Sequence, residues 1–291
     1  KGGAYDFDAS GTHRVIFSGG GSQTVSFENP SYSGFNDVET KNTDIEFATE
    51  VRGWTMQRDA EFKNGIPQGM EGRLDLNGHT LDLKGDLVAG EGEVTINGGA
   101  LKVAGDYRIQ NVSADGTYGQ CSGYLRMENE EDYVSVGGDF VTESTSYAGS
   151  NDCGGGNRLT AGTLELKGGF KQKEGAYDFD ASGTHTTILS GKKVQKVSFE
   201  SSCSQFNNLK ILGDFKNDYK FTPEKCWRTL YINTDVKEVQ ITPQNTKVKQ
   251  GKTEEFKATV IGINKPDQSV KWSVMGAQSE ATSIATGGVL S

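Results

Sequence analysis

The stretch Leu74-Asp-Leu-Asn-Gly-His-Thr-Leu-Asp-Leu-Lys-Gly-Asp-Leu87 decides the fold class. Apolar and polar residues alternate on both sides of Asn77-Gly78 and again before Gly85-Asp86. Alternation with a period of two is typical of half-buried strands, and Asn-Gly and Gly-Asp are turn sequences. The same pattern would also suit a β-sandwich, but the strands are too short for one. The stretch therefore predicts strands stacked as a β-solenoid.

The phrase that ends this stretch, two alternating apolar residues followed by Gly and usually Asp, recurs along the chain. Its copies start 20, then 33, then 30 residues apart, which suits stacked rungs about 4.8 Å apart, two of them carrying loops. We predict an all-β chain with a parallel β-solenoid (β-helix) over residues 1–235. Alternate residues of the phrase should form one core, namely Leu81, Leu83, Leu101, Val103, Val134, Val136, Leu164 and Leu166.

A longer repeat encloses these rungs. Gly3–His13 is identical to Gly175–His185, an offset of 172 residues, and the second copy begins near residue 173. Long internal repeats indicate a modular architecture. Because Lys1 aligns with Lys173 inside the repeat, we expect the chain to be a fragment of a larger protein.

Composition excludes several classes of partner. The net charge is −9 and the sequence pI is about 5.0. Nucleic acid and anionic membranes require a basic face, so neither is expected as a partner. A membrane span needs about 18 consecutive apolar residues, and the sequence contains no such stretch. We therefore expect no membrane insertion.

After Asp235 the sequence changes character. The phrases Val239-Gln-Ile-Thr-Pro243, Phe256-Lys-Ala-Thr-Val260 and Val270-Lys-Trp-Ser-Val274 are followed by Ala281-Thr-Ser-Ile-Ala-Thr-Gly-Gly-Val-Leu290. In this order they resemble the bacterial Ig-like group 2 family, with Trp272 at the core tryptophan position. The resemblance implies an incomplete Ig-like β-sandwich over residues 236–291, with four or five short antiparallel strands.

The repeat region is also similar to a known type of repeat. Asp132-Tyr-Val-Ser-Val-Gly-Gly-Asp-Phe140 and Leu159-Thr-Ala-Gly-Thr-Leu-Glu-Leu-Lys-Gly168 resemble repeats of large clostridial-type surface proteins. Such proteins often carry Ig-like group 2 modules. The resemblance implies an extracellular location, at the bacterial surface or secreted, and a structural role without known catalytic residues.

Two disulfides are predicted from the four cysteines. Cys121 and Cys153 occupy nearly the same place in the loops before their rungs, so stacking would bring them within disulfide geometry. Cys203 and Cys226 are predicted to pair because both are missing from the first repeat copy, which has no cysteine at either counterpart position. Free thiols are the alternative. A zinc site is disfavoured, since no Cys-x-x-Cys pair is present.

The acidic residues and histidines offer weaker candidates. Aspartates that follow Gly could form a Ca²⁺-binding column, but each is more simply a turn residue that satisfies its own backbone; these are Asp86, Asp106, Asp139 and Asp214. Four aspartates are duplicated by the long repeat and are expected on the solvated side of a strand, namely Asp6, Asp8, Asp178 and Asp180. Polar turn positions are expected for His13, His79 and His185.

Binding is expected in two loops, residues 111–125 and 141–160. They combine aromatic and polar side chains with Gly and Ser, as adaptable binding surfaces do. The candidate ligand-binding residues are Tyr118, Tyr124, Tyr147, Asn151 and Arg158. The alternative is that the loops only cover one flank of the solenoid.

These observations favour a non-enzymatic extracellular module that captures a host or environmental macromolecule. Its partner would be a protein or a glycan. A specific form of this hypothesis is the capture of a secreted host protein such as immunoglobulin. No catalytic residue, metal or cofactor is predicted. One alternative is a purely mechanical spacer. The other is a polysaccharide-active β-helix enzyme using Asp82, Asp86 and Asp106, which have no adjacent Arg to assist them.

Overall fold

Short β-strands are the regular elements of the described chain, apart from one turn of 3-10 helix at Pro30–Tyr32. The computed structural model describes residues 7–146, 158–173, 179–202, 204–244, 246–249, 251–277 and 282–290. The first strands are β1 (Arg14–Phe17), β2 (Gln23–Val25), β3 (Asp37–Thr40), β4 (Ile45–Phe47), β5 (Val51–Arg52), β6 (Ala60–Phe62), β7 (Met70–Asp75), β8 (Thr80–Leu83), β9 (Leu87–Val88), β10 (Glu91–Thr95), β11 (Ala100–Val103), β12 (Tyr107–Ile109), β13 (Asn111–Val112) and β14 (Tyr118–Gly119). They are followed by β15 (Tyr124–Arg126), β16 (Tyr133–Val136), β17 (Phe140–Thr142), β18 (Thr163–Leu166), β19 (Phe170–Gln172), β20 (Thr186–Leu189), β21 (Gln195–Phe199), β22 (Phe206–Ile211), β23 (Tyr219–Thr222), β24 (Trp227–Ile232), β25 (Val236–Thr242), β26 (Glu254–Glu255), β27 (Lys257–Gly262) and β28 (Val289–Leu290).

Three parallel sheets form the solenoid walls. The eight-stranded sheet has the order β24-β22-β20-β18-β16-β11-β8-β6, and the six-stranded sheet has the order β23-β21-β19-β17-β12-β9. A four-stranded sheet, β15-β10-β7-β5, forms the third wall. Each interior strand of a sheet pairs with the strands one coil earlier and one coil later along the chain, which confirms the predicted parallel β-solenoid.

The predicted core columns are confirmed. Leu81 stacks on Leu101, which stacks on Val134 and then on Leu164. The eight residues predicted to point inward are each at most 2% exposed. The regular alternation therefore specified the register, because a slip of one residue would turn this apolar set to solvent.

The Gly-Asp corners are held by a ladder of carboxylates. Asp86 Oδ1 accepts the Asp106 N–H (2.8 Å), Asp106 Oδ1 accepts the Asp139 N–H (2.8 Å), and Asp139 Oδ1 accepts the Gly169 N–H (2.6 Å). The expectation that each satisfies its own backbone is wrong for these three, because each serves the next rung. Asp214 differs: it accepts the N–H of Lys216 in its own turn (2.9 Å).

The glycine before each aspartate is required by the same ladder. A Cβ on Gly105 would overlap the Asp86 carboxylate, and a Cβ on Gly138 would overlap that of Asp106. At Gly138 it would also lie 2.7 Å from the carbonyl carbon of Gly105. The phrase Gly-Asp thus has two functions: the glycine admits the carboxylate of the preceding rung, and the aspartate reaches the following one.

The two copies of the identical sequence lie in different environments. Phe179 is 1% exposed and packs 4.8 Å from the ring of Phe170 in the preceding rung, whereas Phe7 is 38% exposed. His185 is completely buried, and neither ring nitrogen has a hydrogen-bond partner within the described part of the chain. The expectation of a polar turn position for His185 is therefore wrong. The reason is that its rung is covered on both sides.

Asp180 is a second correction. Its side chain is only 12% exposed and pairs with Arg228 at 3.0 Å, so it does not lie on a solvated strand face. Burial raises its pKa despite the opposing charge of Arg228. Asp8 matches the expectation, with a side chain that is 65% exposed. Asp6 and Asp178 lie outside the described residues.

The C-terminal part forms a separate compact unit of residues 214–216 and 232–291, while residues 1–213 and 217–231 form the other. Strand β25 pairs antiparallel with β27, and β26 with β28. Trp272 packs against Phe256, with ring centroids 6.5 Å apart, and against Gly288. No helix in the described ranges is long and apolar enough to cross a membrane.

The corner geometry predicts that Gly138→Ala destabilises the solenoid. Forcing a methyl group against the preceding rung should cost about 1–3 kcal/mol of unfolding free energy, the usual effect of overpacking. Gly21→Ala is the control, because a Cβ there meets nothing within 4 Å. Urea unfolding followed by circular dichroism measures both. Equal stability of the two variants would contradict the ladder's steric requirement.

Burial of His185 predicts an acid-dependent loss of stability. Desolvation lowers its pKa to about 4 from 6.5, so the folded state disfavours the charged ring. The stabilisation associated with neutral His185 is complete above about pH 6.5 and disappears as the pH falls toward 4, a total of roughly 3 kcal/mol. His185→Leu should flatten this dependence in unfolding curves measured from pH 7 to pH 4.

His13→Leu is the matched control, since His13 ends the identical sequence but is exposed. This variant should retain the wild-type dependence on pH. An unchanged profile in His185→Leu would show that the acid sensitivity comes from other groups.

Candidate binding surface

The first predicted loop contains a hairpin. Strands β13 and β14 pair antiparallel, with Val112 opposite Tyr118. Asp115 closes the turn by accepting hydrogen bonds from the Thr117 hydroxyl (2.7 Å) and N–H (3.0 Å), which lower the pKa of the Asp115 carboxyl. Gly116 takes a φ of +81°, a conformation that favours glycine. The hairpin displays Tyr118 on the surface of the solenoid.

Tyr118 lies against an arginine of the six-stranded sheet. The Arg108 guanidinium is 4.5 Å from the centroid of the Tyr118 ring, which is within cation–π range. Arg108 also donates to Asp106 at 2.6 Å and to Gln110 at 3.3 Å. The statement that Asp106 has no Arg beside it is therefore wrong. Tyr118 remains 39% exposed, which leaves part of its ring available to a ligand.

Tyr124 belongs to a different wall, the four-stranded sheet. Its ring lies 3.6 Å from the Arg158 guanidinium carbon and 5.6 Å from that of Arg126. Its hydroxyl donates to Glu93 at 2.9 Å. Arg158 also donates to the Ser146 carbonyl (3.2 Å) and hydroxyl (3.0 Å). The structure thus brings the candidate binding residues Tyr124 and Arg158 together, whereas Tyr118 contacts Arg108.

Glu93 organises the Tyr124 cluster. Its carboxylate accepts hydrogen bonds from Tyr124, from Arg126 Nε (2.8 Å) and from the Thr95 hydroxyl (2.9 Å). Burial raises the pKa of Glu93, but these hydrogen bonds outweigh burial and hold it below its usual value. They also raise the pKa of Arg126. The cluster is therefore an ionised, preorganised patch of tyrosine, arginine and glutamate.

Glu93 and Arg126 were not predicted as site residues. Arg126 could have been found, because it lies two residues after Tyr124 and so shares its strand face. Glu93 stacks directly on Tyr124, but they are 31 residues apart in sequence. The hairpin insertion between them conceals that register from a reading of the sequence alone.

Other predicted residues are outside the described part of the chain: Tyr147, Asn151, Cys153 and Cys203. Cys121 is buried and its backbone stacks on Ser144, while Met127 stacks on Leu159. Cys226 is also buried, and desolvation raises the pKa of its thiol to about 12. Both disulfide pairings remain predictions.

The acidic candidates for catalysis are engaged elsewhere. Asp82 pairs with Lys84 at 2.7 Å, and Asp86 and Asp106 belong to the corner ladder. Within the described ranges, no cluster of three or more His, Cys, Asp or Glu side chains could hold a metal ion. These three aspartates are thus engaged in an ion pair or in hydrogen bonds to the backbone.

Non-reducing peptide mapping of oxidatively folded protein tests the cysteine assignment. We expect two linked peptide pairs, Cys121 with Cys153 and Cys203 with Cys226, each resolved by reduction. The expectation follows from loop position for the first pair and from joint absence in the first repeat copy for the second. Recovery of four alkylated thiols would contradict both bridges and weaken the extracellular assignment.

Comparison with known proteins bears on the C-terminal unit. The model of the family described as Bacterial Ig-like domain (group 2) matches residues 235–290. No curated protein and no solved structure was found to match the chain. Antiparallel strands and the Trp272–Gly288 contact lie within the matched range. Residues 235–290 are therefore a bacterial Ig-like domain of group 2, attached to a parallel β-solenoid of about nine turns.

Proposed function

We propose that the chain is a non-enzymatic module of a bacterial surface protein that captures a host or environmental macromolecule. The observation that carries the proposal is the combination of an Ig-like group 2 domain with a parallel solenoid in one chain. Domains of this family occur in bacterial surface proteins. Neither part has an evident reaction to perform, whereas both suit projection and display.

Rigidity of the scaffold supports a display role. Aromatic rings form a continuous stack between rungs, with Phe140 and Phe170 parallel at 5.6 Å and Phe170 close to Phe199 at 4.7 Å. Buried rings in this arrangement resist deformation because the interior is close-packed. Loops held by such a scaffold are preordered, which lowers the entropy cost of binding.

The engaged acids support the absence of catalysis. Glycoside hydrolysis requires two carboxyl groups free to act as acid and as base or nucleophile. Asp82 pairs with Lys84, while Asp86 and Asp106 hold backbone N–H groups of the following rungs. Using Asp86 or Asp106 for proton transfer would therefore cost solenoid stability.

For the capture site we favour the exposed aromatic surface of the hairpin. Tyr118 combines a partly exposed ring with a cation, a pairing common in protein recognition surfaces. Tyr124 is less suited to direct contact, because its hydroxyl and ring are both engaged by Glu93, Arg126 and Arg158. Its expected function is to support the second loop.

The test is capture by the immobilised full chain of purified secretory immunoglobulin and of proteins from serum and mucus. Tyr118→Ala should abolish capture by removing the exposed ring. Its melting temperature should hardly change, since a surface cation–π contact contributes only about 0.5–1 kcal/mol. Tyr124→Phe is the control that keeps the ring and loses only the hydroxyl. Extending the alanine series to Tyr124 and Tyr147 then tests the whole predicted surface.

The outcomes separate the classes of function. Full capture by the triple alanine variant would move the site away from the loops. Failure of the wild-type chain to capture any protein would contradict the protein-binding form of the proposal and favour a mechanical spacer. Release of reducing sugar from a polysaccharide panel would contradict the non-enzymatic assignment.

A further inference from the structure

A groove runs along the corner between the eight-stranded and six-stranded sheets. Three adjoining depressions of about 570, 290 and 310 Å³ form it. The first shares Asp139, Gly169 and Val194 with the second, and Gly137 and Lys167 with the third. We call it the lysine groove, because seven lysines line it, and we call five of them the groove lysines: Lys102, Lys167, Lys192, Lys193 and Lys196.

Three of these lysines are additions to a turn that folds without them. The second repeat copy reads Ser190-Gly-Lys-Lys-Val-Gln-Lys196, where the first copy reads Ser18-Gly-Gly-Gly-Ser-Gln-Thr24. Both turns are closed in the same way: Gln195 Oε1 accepts the Gly191 N–H at 2.8 Å, and Gln23 Oε1 accepts the Gly19 N–H at 3.1 Å. Lys192, Lys193 and Lys196 are therefore not needed to form the turn.

The charges of the groove lysines are available to a ligand. All five side chains are exposed, and in the part of the chain that the structure describes none has a carboxylate within 4.0 Å. The two other lysines of the lining are paired: Lys84 with Asp82 at 2.7 Å, and Lys171 with Glu200 at 3.3 Å. Five of the seven lysines that line the groove therefore have no paired acid among the described residues.

The three acids that line the groove are already engaged, and one of them, Asp82, pairs with Lys84. Glu165 accepts hydrogen bonds from the hydroxyls of Tyr133 and Ser190. Burial raises its pKa, but these bonds and the charge of Lys167 outweigh that effect and lower it. Asp139 accepts the Gly169 N–H. The groove consequently presents positive charge on a chain whose net charge is −9.

The floor of the groove consists of glycines, namely Gly137, Gly168, Gly169 and Gly191. Gly168 has no room for a side chain, because a Cβ would overlap the Gly138 carbonyl. A floor without side chains leaves room for a sugar ring between the lysines.

The lysine chemistry distinguishes between polyanions. An ammonium is a compact point charge that pairs with single, spaced anionic groups, whereas arginine is favoured for bidentate recognition of phosphate. The groove lining contains no arginine among its described residues, and Tyr133 is its one accessible aromatic. Single-stranded nucleic acids are usually bound by a series of stacking aromatics, and a net negative protein repels them.

We propose that the lysine groove binds an acidic polysaccharide. Its carboxylate or sulfate groups pair with Lys167, Lys192, Lys193 and Lys196, and its sugar rings lie over the glycine floor. This deepens the proposed capture function by naming a glycan class, but the residues of the site are different from Tyr118 and its contacts. The two sites therefore fail or succeed separately.

The test replaces the added lysines with the residues that the first copy carries at the same turn, as Lys192→Gly, Lys193→Gly and Lys196→Thr together. The 291-residue chain is titrated by calorimetry with heparin as the sulfated probe, polygalacturonate as the carboxylated probe and dextran as the neutral probe. We expect at least one acidic probe to bind and dextran not to bind. The triple variant should bind at least about tenfold more weakly.

The affinity of the wild type should also fall as NaCl rises from about 50 to about 300 mM, because ion pairs with a polyanion release counterions. The melting temperature of the triple variant should match that of the wild type, since its turn sequence already folds in the first copy.

A control variant removes the same charge elsewhere. Lys237→Gln, Lys257→Gln and Lys271→Gln together change three exposed lysines of the Ig-like unit. It should bind within about twofold of the wild type, because an exposed lysine that makes no ligand contact contributes little to affinity in salt. An equal loss of affinity in this control would show that binding depends only on net charge, and it would overturn the proposed site.

Two further results would also overturn the proposal: no binding of either acidic probe by the wild type, or tighter binding of an oligothymidylate than of both glycans. If Tyr118→Ala abolishes protein capture but leaves heparin or polygalacturonate binding intact, the two sites are independent. Loss of glycan binding in Tyr118→Ala would contradict the assignment to the lysine groove.

Discussion

The parallel hydrogen bonding between successive rungs is the constraint on which the rest of the structure depends. The strands of the three walls obtain their backbone partners from neighbouring coils and not from their own coil, so no rung is stable alone. Interior side chains must then repeat at the strand spacing, which stacks leucine on leucine and phenylalanine on phenylalanine. The hairpin of β13 and β14 is inserted between β12 and β15, which belong to two different walls.

The corner that makes this stacking possible also makes the lysine groove. Asp139 and Gly169 belong to the carboxylate ladder and line the groove at the same time. Small residues are needed there because each carboxylate lies against the backbone of the neighbouring rung. A depression floored by glycines follows from that requirement. The second repeat copy adds lysines around this depression without changing the turn. The residues that form the corner are therefore different from the residues that give it its positive charge.

Much of the fold could be predicted because period-two alternation and Gly-Asp turns are local signals. Leu81, Leu101, Val134 and Leu164 were placed correctly in one column for that reason. His185 could not be placed, because its burial depends on rungs stacked above and below and not on its own sequence, which is identical to that around exposed His13. The contact of Tyr124 with Glu93 was missed for a related reason, since it requires the register across an insertion. Lysines 65 or more residues apart, such as Lys102 and Lys167, likewise converge only through stacking.

Spin-label distances test the parallel register most directly. Asp82 and Lys210 occupy one outward column through Lys102, Ser135, Glu165 and Ile188. Five steps between strands place labels at Asp82 and Lys210 about 24 Å apart, and four steps place labels at Lys102 and Lys210 about 19 Å apart. Pulsed electron paramagnetic resonance on the two doubly labelled proteins should show that the second distance is shorter than the first by one strand spacing. Two distances that are equal, or that differ by more than about 10 Å, would contradict the solenoid and every site placed on it.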